Sequence, residues 1–94
     1  MFPRQRLATR AIVEEIPIDL QLFMWLCIDS LRVERDYLQV FELSSKDGNQ
    51  RILHKQEVPP YAKDYLFESD APISAKIFVI NDGAYATMLF AEEY

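Results

Sequence analysis

An α+β domain, with one main helix packed on a mainly antiparallel sheet of about five strands, is the fold the sequence predicts, and three observations predict it. Two turn signals, Asp47-Gly48-Asn49 and Asn81-Asp82-Gly83, each stand between runs rich in aromatic and β-branched residues, the pattern of a β-hairpin. One segment, from about Pro17 to about Arg32, spaces its apolar residues as a helix does. The elements then follow in the order strand, helix, strand, strand, strand, strand, all within residues 1–94, too short a chain for two ordinary domains.

The first strand is placed at Leu7 to Val13, where Thr9, Ile12 and Val13 supply strand propensity and Arg6 and Arg10 suggest a sheet edge. Pro17 suits the first helical position, and Asp19 suits the positive end of the helix dipole, so the helix begins there. Tyr37 to Ser44 is apolar on both alternating sets, as a strand inside the sheet should be. Lys46 to Gln50 turns the chain, Arg51 to Val58 returns as the hairpin partner, and Pro59-Pro60 ends that strand. The stretch from residue 59 to Pro72 mixes Tyr61, Tyr65 and Phe67 with acidic residues in no sustained period and reads as a loop packed by its rings. Ile77 to Ile80 and Tyr85 to Phe90 form the last hairpin.

Composition bounds function more by exclusion. Half the residues are hydrophobic and 27% are charged, the balance of a folded globular chain. The longest apolar run, Leu22 to Ile28, falls well short of the roughly 20 residues that span a bilayer, so no membrane role is expected. Met1-Phe2-Pro3-Arg4 is not followed by an apolar stretch and does not read as a secretory signal. Cys27 is the single cysteine, which precludes an internal disulfide and makes the cytoplasm the expected location. Of a net charge of −5, the first ten residues carry +3 through Arg4, Arg6 and Arg10, so the remainder carries −8 and repels phosphate backbones. Nucleic acid is therefore not the expected partner.

No catalytic, cofactor-binding or metal-binding motif is visible, and an enzyme is not expected. His54, the lone histidine, shares a strand face with Ile52 and Gln56 and cannot build a multi-histidine metal site. Cys27 falls on the sheet-facing side of the helix, where a thiol behaves as a small apolar residue. Glu14-Glu15 and Glu92-Glu93 are adjacent carboxylates at segment ends, typical of solvated positions. Gly48 and Gly83 both belong to hairpins, so no phosphate-cradling loop exists.

The helix carries the main functional signal. At 100° per residue, Leu20, Phe23, Met24, Cys27 and Leu31 share an arc of about 100°, enough to cover the sheet. Ile18, Leu22, Trp25 and Leu26, with Asp29 beside them, form a second stripe on the opposite side. Burying those four apolar residues is worth on the order of 6 to 12 kcal/mol. Doubled across a symmetric contact, that compares well with the roughly 4 to 15 kcal/mol cost of association. A homodimer or a protein partner docked on this stripe is the expected function. Two alternatives stay open: the 59–72 segment or the N-terminal arm covers the stripe within one chain, or the open sheet face, where Arg51, His54 and Lys55 alternate with apolar residues, binds a small ligand or nucleic acid.

Four segments also resemble a known family: Thr9-Arg10, Glu15 to Trp25, Asp36 to Leu43, and Leu89 to Tyr94. Together they make the chain similar to domain-of-unknown-function family nine-sixty, small proteins of low-GC Gram-positive bacteria. The resemblance implies a bacterial cytosolic protein and brings no reaction, ligand or site residues.

Overall fold

The computed structural model describes residues 2–94 as a six-stranded sheet with two helices on one face. In chain order the elements are β1 (Arg6–Ala8), α1 (Arg10–Glu15), α2 (Ile18–Asp29), β2 (Leu38–Lys46), β3 (Asn49–Gln56), β4 (Tyr61–Phe67), β5 (Ala75–Asn81), β6 (Ala86–Phe90) and a closing 3₁₀ turn at Ala91–Glu93. The strand order is β1-β6-β5-β2-β3-β4; only β1 on β6 is parallel. This is the expected α+β architecture, with one strand and one short helix more than the sequence predicts.

Both differences have local causes. Residues 10–13, expected as strand, are the first turn of α1 because Thr9 caps the helix: its hydroxyl accepts from the Ile12 amide at 3.4 Å and donates to Glu93 at 2.8 Å. Helix capping outweighs the β-branched propensity of Ile12, whose side chain is fully buried. The stretch expected as a loop contains β4, paired with β3 from Gln50↔Phe67 to Gln56↔Tyr61. Tyr61, Tyr65 and Phe67 do alternate, but Lys63 interrupts the apolar set and the strand is an exposed edge. Phe23 of α2 seals that set edge-on, its ring 5.0 Å from Tyr65 and 4.7 Å from Phe67.

The hairpin between β2 and β3 closes over two residues, Asp47 and Gly48, both at positive φ, as a type I′ turn requires. Alternation along β2, β3, β5 and β6 sends Phe41, Leu43, Ile52, Ile77, Val79, Met88 and Phe90 toward the helices. They pack there against Ile12, Met24, Cys27 and Ile28 in one core.

Polar side chains share that covered face, and each is tied down. Gln50 donates to the carbonyls of Ser44, Arg51 and Ile73 and accepts from the Ile73 amide, fastening the β4–β5 connection. Gln39 donates to Gln56 at 2.7 Å and to the Asp36 carbonyl, and Gln56 donates to the carbonyls of Glu34 and Pro59. His54 is fully buried in this network, not on the open face with Arg51 and Lys55 where the sequence reading placed it. Strand alternation sets that division: Arg51, Leu53 and Lys55 point outward, Ile52, His54 and Gln56 inward.

Candidate functional site

On α2 the buried residues are Gln21, Met24, Cys27 and Ile28, followed by Leu31 just beyond its end. The core-facing arc is thus turned by roughly 50° from the one expected, while Leu20 and Phe23 flank it as partly buried residues. Gln21, a polar residue, is inside because its amide donates to the Ile16 carbonyl at 2.8 Å and the Ile12 carbonyl at 3.5 Å, bridging α1 to α2. Cys27 is buried, and its thiol is pushed up to about 11 by desolvation, which removes it from thiolate chemistry at neutral pH.

The opposite side of α2 separates the five predicted contact residues into two groups. Ile18, Leu22 and Leu26 stand in solvent, 66%, 61% and 57% exposed, in a line of four-residue spacing. Trp25 does not belong with them. It is half-buried against the core, and the Arg6 guanidinium lies 4.8 Å over its ring. Asp29 is held by the same arginine through both carboxylate oxygens, at 2.5 and 3.0 Å, and that pairing lowers its pKa. The N-terminal arm therefore covers the Trp25–Asp29 end of the stripe, and the aromatic 61–67 strand lies across the sheet from β6 and covers none of it.

Each end of the exposed line opens into a hollow. At the α1–α2 junction Val13, Glu14, Glu15, Ile16, Ile18 and Gln21 line a groove of about 400 Å³. At the far end Phe2, Arg4, Arg6, Asp29 and Arg35 line a cleft of about 460 Å³. Arg35 is fixed there by the carbonyls of Ile28 and Asp29 at the helix C-terminus and of Leu31 just beyond it. Sequence reading missed this cleft. Arg6 and Asp29 are 23 residues apart and meet only because β1 pairs with the last strand.

Elsewhere, a cleft of about 460 Å³ lies between the start of α2 and the β4–β5 connection, walled by Leu20, Phe23, Phe67 and Ile73. On the uncovered sheet face Leu38, Val40, Lys55, Lys76 and Phe78 line a groove of about 330 Å³. Among the described residues no three His, Cys, Asp or Glu side chains gather as a metal site would need, and no helix is long and apolar enough to cross a membrane.

The same architecture occurs in a solved structure. The crystal structure of the protein of unknown function from Enterococcus faecalis aligns with 97% of this chain and 91% of its own, at a TM-score of 0.82 and 27% identity. No curated protein matches the chain. The family model described as staphylococcal protein of unknown function matches residues 5–93, nearly the full length, and the chain belongs to that family, DUF960.

Proposed function

We propose that this chain is a non-enzymatic protein-interaction module of the cytosol whose partner is a second copy of itself, docked through the outer face of α2. The observation that carries the reading is the uncovered line of Ile18, Leu22 and Leu26 on a helix whose other side is already core. Completing the burial of each is worth about 1–2 kcal/mol, or about 6–12 kcal/mol over both copies, against an association cost of roughly 4–15 kcal/mol. The balance suits a reversible homodimer.

Light scattering across a concentration series tests this. The purified protein is expected to approach twice the 11.0 kDa chain mass as concentration rises. Leu22→Glu, at the middle of the line and touching nothing in the core, should hold the chain mass throughout with an unchanged circular dichroism spectrum. A wild-type protein monomeric at every concentration would defeat the proposal.

A second reading draws on the groove between Leu38, Val40 and Phe78, where Lys76 and Lys55, the latter paired with Glu42 at 2.8 Å, stand at the rim with Asp36 and Glu57. Such a surface suits a small amphipathic anion or the stacked bases of a single strand. If nucleic acid binds there, affinity for a single-stranded oligonucleotide should fall steeply with salt and drop again in Lys76→Ala. Binding that ignores both changes removes this reading.

A further inference from the structure

The α2 face has opposite charge at its two ends. The groove at its start carries Glu14 and Glu15, both exposed. Glu14 meets Arg10 in an open surface contact, and Glu15 forms no ion pair among the described residues. The cleft at its end holds three guanidiniums, Arg4, Arg6 and Arg35, around the single carboxylate of Asp29, both of whose oxygens are taken by Arg6. Arg4 is exposed and, among the described residues, pairs with no carboxylate. The cleft is therefore a local positive surplus on a chain of net charge −5.

Spacing relates the two ends. Leu22 lies midway along the exposed line, with Ile18 and Leu26 each four residues away, Glu15 seven before it and Asp29 seven after it. At about 1.5 Å per helical residue Asp29 lies about 10 Å from Leu22 along the axis, while Glu15 ends α1 and reaches α2 through the extended Ile16 and Pro17, so that its groove opens beside Ile18 at the other end of the line. A twofold axis through Leu22 then sets Ile18 of one copy against Leu26 of the other and Glu15 of one beside the Arg6–Asp29 cleft of the other. Parallel helices would instead oppose acid to acid and arginine to arginine.

We infer that α2 pairs antiparallel with α2 of a second copy about Leu22, and that the Glu14–Glu15 pair of each copy seats in the arginine cleft of the other. This rests on the α2 face being the dimer contact, and it adds the orientation and the residues that enforce it. Arg4 and Glu15 are the informative pair, since both are exposed and neither holds the monomer together.

Sedimentation equilibrium on wild type, Arg4→Glu, Glu15→Arg and the doubly substituted chain tests the inference. Each single reversal is expected to weaken dimerisation roughly tenfold, and the double reversal, which restores opposite signs across the axis, should recover most of that loss. Raising salt should weaken wild type and leave Leu22→Glu monomeric as before. If the single reversals leave dimerisation unchanged while Leu22→Glu still abolishes it, the antiparallel pairing is wrong and the dimer stands. If additive losses appear in the double variant, the two ends do not meet. A wild-type monomer overturns the dimer itself.

Discussion

Replacing Phe41 by alanine is expected to remove about 3–5 kcal/mol of folding stability, a large share of what a domain of this size possesses. Phe41 is fully buried at the middle of β2, an interior strand of the sheet, with His54 across one ladder and Ile77 across the other. Its ring lies nearly parallel to the His54 imidazole, 4.4 Å between centroids and 11° between planes. Truncation would open a void lined by sheet on three sides, where backbone ladders oppose collapse. Urea unfolding should show the midpoint fall with the slope unchanged, while Phe41→Leu loses clearly less. A loss under about 1 kcal/mol for Phe41→Ala would mean that the core relaxes around the void, contrary to the packing described.

The strand that holds Phe41 was readable because it is apolar on both alternating sets and bounded by a strong turn, but which set faces the helices is set by the fold, which buries Gln39, Phe41 and Leu43. Both hairpins and the long helix follow from equally local signals. What lay beyond the sequence was set by distant partners. Residues 10–13 have strand-like composition, and the chain becomes helix there because Thr9 finds Ile12 and Glu93, the second of them 84 residues away. β4 hides its alternation behind Lys63, and its pairing with β3 decides the matter.

The candidate face divides in the same way. Ile18, Leu22 and Leu26 lie outward by helical period alone, which a sequence displays. Trp25 shares that period, yet Arg6 arrives from β1 and covers it, so the residue with the greatest apparent interface value is half-spent inside the monomer. The covering arginine also converts one end of a uniform apolar stripe into a charged cleft. That polarity, absent from any reading of α2 in isolation, is what gives the face a direction.

The second large effect expected is loss of stability in mild acid through one histidine. His54 Nε2 lies 2.6 Å from the Gln39 side-chain oxygen, and the Gln39 amide nitrogen is already committed to Gln56 and the Asp36 carbonyl. Gln39 therefore accepts, Nε2 carries the proton, and buried Nδ1 has no partner among the described residues. A second proton would have to sit on Nδ1 as an unpaired buried charge, so desolvation lowers the pKa from 6.5 to about 4. Because the folded pKa is the depressed one, the unfolded chain binds the proton first as pH falls. The neutral histidine's contribution is complete above pH 6.5 and is lost progressively as pH drops toward 4. Wild type should lose about 2 kcal/mol between pH 7.5 and 5, before most carboxylates titrate. His54→Gln should be less stable at neutral pH but nearly flat over that interval. Equal slopes for the two proteins in urea unfolding at matched concentration would show that His54 is already charged, or solvated, in the folded state, and would overturn the assignment of Nδ1 as the unpartnered atom.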